Sequence, residues 1–163
     1  MENPAHYQRM FPTFQHHQQL LLTQFILQTR KDFFSVIYWY RVINETSIPL
    51  ELIINFPADS FETSPSPDSY LKVFLPPDTM TLAKETLYKY GATGLNSFLD
   101  AGLTKPTTLQ RTINPREACL FYISVLYYQA DAPTRAELIL KGQHVYYRIG
   151  GIEIPCGQIV FKK

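Results

Sequence analysis

The sequence predicts a mainly β protein, an antiparallel sandwich of seven or eight strands with a short helical insertion and an N-terminal arm. Tyrosine and phenylalanine, with 11 residues each, contribute to an aromatic fraction of 14%, which favours pleated, half-buried strands. Apolar residues alternate with polar ones over short segments that end in turn residues. These segments do not alternate with helices, so a parallel sheet built from βαβ units is not expected.

The length and composition indicate one globular domain with an appendage. The chain has 163 residues, of which 45% are apolar and 18% charged, and this supplies enough apolar surface to offset the entropy lost on folding. The 15 basic and 14 acidic residues leave a net charge of +1, so we expect no nucleic-acid partner. The most apolar early stretch, residues 20–27, is shorter than the roughly 20 residues that cross a bilayer, so no membrane span is expected.

Residues 1–30 form a distinct N-terminal arm in which glutamines are interleaved with apolar side chains. Residues 1–10 are polar and lack the hydrophobic segment of a secretory signal. The pattern fits neither the helical nor the strand period, so a short helix and a docked strand both remain open. Because the arm is too hydrophobic to remain in solvent, we expect it to dock on the domain of residues 31–163 or to mediate self-association.

The first two strands of the domain are predicted over residues 33–43 and 50–56. The first is a dense run of β-branched and aromatic residues, and the second alternates apolar with polar residues. Residues 44–47 are typical of a turn, so we expect the two strands to form a hairpin. Asn44-Glu45-Thr46 also matches the acceptor pattern for N-glycosylation.

A helical insertion is predicted over about residues 79–102. It follows a loop rich in proline, serine and aspartate at residues 57–67 and a strand at 70–75 that Pro76 and Pro77 end. Within the insertion, apolar residues recur at roughly helical spacing and Gly102 is placed to end a helix.

The remainder of the chain is predicted to be β structure. Strands are expected over residues 108–113, 119–128, 136–140, 145–149 and 158–162, with 152–154 as an extra short piece. Turn residues separate them, and no internal repeat is detectable.

This pattern resembles the immunoglobulin-like sandwich modules found outside the cytoplasm. Three features carry the resemblance: the turn and proline-led strand at residues 42–56, the Asn-Pro-Arg-Glu turn at 114–117, and the closing run of hairpins. The resemblance covers residues 33–163 and implies a sandwich architecture and a periplasmic or secreted location. Trp39 precedes both cysteines, so the Cys, Trp, Cys order of antibody domains is not met, and no site is carried over.

The two cysteines, Cys119 and Cys156, leave three alternatives open. Each side chain is a buried small hydrophobe, a partner in a Cys119–Cys156 disulfide, or a reactive thiol. Two cysteines are too few for a disulfide framework, and their spacing does not match paired zinc knuckles.

No metal, cofactor or catalytic motif is recognisable. The four histidines are His6, His16, His17 and His144; neighbouring residues of a strand point to opposite faces, and no partner motif accompanies them. The chain has no Gly-x-Ser-x-Gly elbow and no phosphate-binding glycine spacing, so we expect neither a cofactor nor an enzyme of these classes. Scattered carboxylates leave a hydrolase site open as a third hypothesis.

Aromatic clusters are the most suggestive feature. They place rings on both faces of a strand, so one ring in each cluster is predicted to face outward. Outward rings on one sheet face would bind a protein partner or stack on a glycan; otherwise the rings pack across strands in the core. The candidate binding residues are Tyr38, Trp39, Tyr40, Tyr127, Tyr146 and Tyr147.

The sequence therefore favours a non-enzymatic binding or structural module that acts by protein–protein contact or self-association. Carbohydrate binding by an aromatic strand face is the alternative.

Overall fold

A computed structural model describes residues 13–21, 33–62, 69–92, 105–128 and 136–162 of the chain. These residues form two antiparallel sheets, which confirms the predicted mainly β, antiparallel class. The strands are β1 Thr13–Leu21, β2 Phe33–Ile43, β3 Leu50–Phe56, β4 Phe61–Glu62, β5 Tyr70–Phe74, β6 Thr107–Ile113, β7 Ala118–Tyr128, β8 Ala136–Lys141, β9 His144–Ile149 and β10 Ile152–Phe161.

The main core lies between the two sheets. Sheet A has the strand order β1-β2-β7-β5-β4, and sheet B has the order β6-β3-β10-β9-β8. Alternate residues of both sheets contribute to one cluster of buried apolar side chains, which includes Val36 and Tyr38 from sheet A and Leu52 and Tyr147 from sheet B. Alternation along each strand thus supplies the inner face that the two sheets bury against each other.

The strand order resembles that of immunoglobulin sandwiches in one sheet only. Those sandwiches have the order A-B-E-D in one sheet and C-F-G in the other. The order β1-β2-β7-β5 in sheet A matches the first pattern. In this correspondence β3 takes the place of strand C and β8, the strand after β7, that of strand F, so the second pattern would place β8 beside β3. In this protein β10 lies beside β3, and β8 lies at the far edge of sheet B.

The predicted hairpin of β2 and β3 is wrong, because the two strands lie in different sheets. The chain crosses from sheet A to sheet B at Asn44, whose side chain is fully buried. The Asn44 amide donates to the carbonyls of Ile48 and Ile113, and its oxygen accepts from the backbone and hydroxyl of Thr46. The residues that suggested a β-turn therefore form a sheet-to-sheet crossing.

The central strands of sheet A, β2 and β7, are buried on both faces. A second apolar cluster covers its outer face and comprises Ile37, Trp39, Phe74, Met80, Ala92, Tyr122 and Leu126. Met80 and Ala92 belong to the segment that follows β5, so this segment lies over the sheet. Residues 121–127 of β7 are all buried, because the main core covers one face of the strand and the second cluster covers the other.

The helical insertion predicted at residues 79–102 is not seen in its described part. Residues Leu82–Lys84 and Tyr88–Gly91 form two short 3₁₀ turns, and residues 93–102 lie outside the described ranges. Gly91 ends the second turn at a φ of 69°, a left-handed conformation that glycine adopts without strain. Leu82 and Leu87, two of the apolar residues at helical spacing, are half exposed, whereas Met80 packs on sheet A.

The predicted arm contains a strand. Residues Thr13–Leu21 form β1, which pairs antiparallel with β2 at the edge of sheet A. The other residues of the arm lie outside the described ranges. β1 also contacts β8, the edge strand of sheet B, so the sandwich is closed along this side.

The last two predicted strand pieces, residues 152–154 and 158–162, are one strand, β10. Its register with β9 shifts between Pro155 and Gly157, which is the signature of a β-bulge. The extra residue of the bulge is Cys156, whose buried side chain belongs to the core. Proline and glycine in this strand therefore indicated a bulge and not a break.

Candidate functional site

The structure encloses five of the six candidate aromatic residues. Tyr38, Tyr40, Tyr127 and Tyr147 lie in the core between the sheets, and Trp39 lies in the cluster on the outer face of sheet A. Their exposed fractions do not exceed 2%. Tyr146 is half-buried, and the Lys141 ammonium lies 5.0 Å from its ring centre. The alternative in which the rings pack across strands therefore describes this arrangement, and these rings do not form a flat exposed platform.

The core tyrosines form a buried polar group inside an apolar cluster. The Tyr40 hydroxyl donates to the Tyr147 hydroxyl at 2.8 Å, which joins the two sheets across the core. The Tyr147 ring also makes edge contacts with Tyr38 and Phe56. Burial raises the pKa of Tyr38, Tyr40 and Tyr147 above the usual tyrosine value. These hydroxyls are therefore protonated structural groups at neutral pH.

Both cysteines are free thiols, so of the three alternatives the Cys119–Cys156 disulfide is not formed. The two residues lie in different sheets, Cys119 in β7 and Cys156 at the bulge of β10. Burial raises the pKa of Cys119 to about 11 and that of Cys156 to about 12. Since the thiolate is the reactive form, both side chains act at neutral pH as small hydrophobes, Cys156 buried in the core and Cys119 partly buried against it.

Alkaline pH should destabilise the fold through these groups. A pKa raised in the folded state contributes stability below the unfolded-state pKa, and this stability is lost as pH rises through the folded value. The cysteine thiols, with a usual pKa of 9.0, therefore place the loss between pH 9 and about pH 12, and the buried tyrosines act in the same direction. Urea unfolding from pH 7 to 11 should show a constant free energy of unfolding up to pH 9, then a decline. If the tyrosinate absorbance shows that all the tyrosines have ionised while the protein remains folded, the prediction is wrong.

The outer face of sheet B carries compensated charge. Glu153 pairs with Lys141 and Arg148, and Arg148 also pairs with Glu137. Hydrogen bonds from Lys141 and Arg148 lower the pKa of the exposed Glu153 carboxyl. Exposed pairs of this kind contribute little stability, and their opposite charges cancel. This face is therefore a solvated surface without a strong field.

A cleft lies on the side of the sandwich opposite the β1–β8 contact. Its volume is about 300 Å³, and it lies between β6, β7 and the chain that leaves β5. Apolar side chains alternate with hydroxyl groups and two charged residues around it. The lining residues are Leu75, Pro76, Pro77, Asp78, Thr79, Thr107, Thr108, Leu109, Arg111, Leu120, Phe121 and Tyr122.

The cleft exists because β5 is shorter than β7. β5 pairs with β7 only from Ser124 to Tyr128, so residues 118–123 of β7 have no strand neighbour on this side in the described structure. Asn44 N–H donates to the Glu117 carbonyl at 2.9 Å, which fixes the ladder between β2 and β7. Successive residues of an antiparallel strand direct their backbone N–H and C=O groups to opposite sides. Because Glu117 bonds to the β2 side, the backbone groups of Leu120 and Tyr122 point away from β2 and into the cleft.

The opposite wall of the cleft is the edge strand of sheet B, β6. Leu109 and Ile113 of β6 pack on the core, and alternation places Arg111 on this same inner side. Arg111 is nevertheless exposed and close enough to Cys119 to lower the pKa of that thiol against the larger effect of burial. A charge that points inward on an edge strand discourages that strand from pairing with other chains.

A carboxylate occupies the outer side of the same cleft. Asp78 lies close enough to Tyr122 to add to the burial that raises the Tyr122 pKa to about 12. The Tyr122 hydroxyl donates to the Tyr90 carbonyl at 2.5 Å, which anchors the segment over the outer face. The unpaired stretch of β7 thus has Arg111 on its inner side and Asp78 on its outer side.

Amide exchange should reveal the unpaired edge directly. The N–H groups of Leu120 and Tyr122 point into the cleft, whereas those of Phe121 and Ile123 are directed to β2. We expect the first two to exchange at least about tenfold faster than the second two in the free protein, because exposed strand bonds open at low cost. Residue-resolved hydrogen exchange by NMR measures this difference. Equal protection of all four amides would show that another segment covers the edge.

The described lining of the cleft offers apolar, hydroxyl and charged groups. Among the described residues no group of three or more His, Cys, Asp and Glu side chains could hold a metal ion. The lining contains neither a histidine nor a cysteine, and the described ranges contain no helix long and apolar enough to cross a membrane. Sequence reasoning missed this site, because Arg111 marks it only once β6 is known to be an edge strand beside the short β5.

Comparison of the chain with protein-family models, with curated proteins and with solved structures gives no significant match.

Proposed function

We propose that this protein is a non-enzymatic binding module that takes an extended segment of a partner protein into the cleft between β6 and β7. The observation that carries the proposal is the stretch of β7 at residues 118–123, which has no strand neighbour on this side among the described residues and lies at an open cleft. An extended peptide that adds to a sheet edge gains main-chain hydrogen bonds there, and neighbouring pockets select its side chains.

The dimensions and lining of the cleft support this mode of binding. An added segment would take the place beside β7 that β5 leaves, in line with β5 and antiparallel to β7. Residues 118–123 accommodate a strand of about 20 Å. Leu75, Leu109 and Phe121 provide apolar contact area, and the threonine hydroxyls provide hydrogen-bond groups at the rim.

Export to the periplasm or the cell exterior is a further part of the proposal. Support comes from the resemblance to immunoglobulin-like modules and from the A-B-E-D order of sheet A. Fractionation of source cells, with the protein detected by antibody, tests this part. Recovery of the protein in the cytosol alone would remove it.

Removing one backbone donor in the cleft tests the binding mode. Leu120→Pro deletes an N–H that points into the cleft and keeps the β2 ladder, since proline is tolerated where a strand is unpaired. Leu120→Ala is the matched control, because it shortens the same side chain and retains the N–H. Both variants and the wild type are immobilised and exposed to an extract of source cells.

The expected result is a partner that the wild type and Leu120→Ala retain and Leu120→Pro releases. Circular dichroism and thermal unfolding confirm that both variants remain folded. A partner held equally by all three proteins, or no partner at all, would overturn the proposal.

A further inference from the structure

If an extended segment binds in the cleft as proposed above, the charged residues of the cleft determine which side chains that segment carries. Arg111 is exposed, and its guanidinium forms no ion pair with any residue in the described part of the chain. Within the described part of the chain, the guanidinium donates a hydrogen bond to the adjacent Gln110 carbonyl. By contrast, Lys162 pairs with Glu51 on the same sheet. The inner side of the cleft therefore presents a positive charge that has no ion-pair partner among the described residues.

The register of an added strand determines which of its side chains meets this charge. In an antiparallel pair, residues directly opposite each other place their side chains on the same face of the sheet. A residue opposite Cys119 would point to the inner side, where Arg111 is close to Cys119. A residue opposite Tyr122 would point to the outer side, where Asp78 lies close to Tyr122.

We propose that the occupant is an extended protein segment with an acidic side chain on the face directed to Arg111. A carboxylate opposite Cys119 gains a charge-assisted hydrogen bond from the guanidinium. The cleft thus selects for charge at one position of the added strand as well as for its apolar residues.

A displayed library of short random peptides tests this inference, because selection from such a library requires no named partner. Peptides are selected on the wild type, and those that Leu120→Pro no longer retains are kept as cleft binders. Their affinities are then measured for Arg111→Glu and for Lys105→Glu, which makes the same charge change at an exposed residue that does not line the cleft. Thermal unfolding checks that both charge variants are folded.

Cleft binders should be enriched in a single acidic position and should lose at least about tenfold in affinity for Arg111→Glu, with little change for Lys105→Glu. Replacing that acid in the peptide by lysine should restore binding to Arg111→Glu. Cleft binders that bind Arg111→Glu as well as the wild type would overturn the inference and leave the proposed function standing. If no peptide is lost on Leu120→Pro, both fail together.

Discussion

Gly157→Ala should destabilise the protein by at least about 3 kcal/mol, because this position has no room for a side chain. A Cβ atom placed on Gly157 would collide with the carbonyl oxygen of Ile53 in the neighbouring strand. Gly157 pairs with Ile54 of β3 and follows the bulge of β10, so the backbones cannot separate without breaking the centre of sheet B. Urea unfolding followed by circular dichroism gives the free energy of unfolding.

Gly151→Ala is the matched control, since no atom lies within 4 Å of the added Cβ. Its free energy of unfolding should stay within about 0.5 kcal/mol of the wild-type value. If Gly157→Ala unfolds at the same urea concentration as Gly151→Ala, the close approach of β10 to β3 is not a constraint on the fold.

Asn44→Ala should have an effect of comparable size, a loss of about 3 kcal/mol or more. The substitution removes two donated hydrogen bonds and leaves the Ile48 and Ile113 carbonyls without that donor. It also removes the oxygen that Thr46 binds through its N–H at 3.0 Å and its hydroxyl at 2.6 Å. Burying polar groups without partners costs more than the lost bonds are worth.

Asn55→Ala is the control for this measurement, because Asn55 is exposed in β3 and the same atoms are removed. Its expected change is within about 0.5 kcal/mol. A small effect of Asn44→Ala would mean that the crossing between the sheets is held by other contacts. The burial of Asn44 also means that a glycan could not be attached there in the folded protein, although the sequence matches an acceptor pattern.

The positions of the strands were largely predictable from local sequence. The predicted strand over residues 33–43 corresponds to β2, and the one over 50–56 corresponds to β3. Local alternation and turn residues determine where a strand begins and ends, because they report burial of one face. Strand pairing was not predictable in the same way. Whether β2 and β3 form a hairpin or cross between sheets depends on distant residues such as Ile113, whose carbonyl accepts from Asn44.

The burial of the aromatic residues did have a signal in the sequence. β2 and β7 are nearly continuous apolar runs and do not alternate strictly, a pattern that is typical of strands covered on both faces. The hypothesis of outward-facing rings assumed one open face. Trp39 shows the difference, since it points away from the core between the sheets and is still covered, with the Tyr90 ring 6.4 Å away.

The cleft could not have been located from the sequence. Its position depends on β5 ending at Phe74 while β7 continues past Ser124 toward Ala118, which is a relation between two distant segments. Arg111 marks the site only once β6 is known to be an edge strand beside that gap. An inward-pointing charge on a strand is otherwise indistinguishable from an ordinary exposed residue.

The place of β10 in sheet B has a consequence for the order of assembly during folding. β10 lies between β3 and β9, although about a hundred residues separate β3 from β10 along the chain. Before β10 pairs with β3, the pairs β3–β6 and β8–β9 cannot join into one sheet. Such long-range pairing is slow to form. We therefore expect the apolar strand faces of sheet B to stay exposed during folding until β10 is in place.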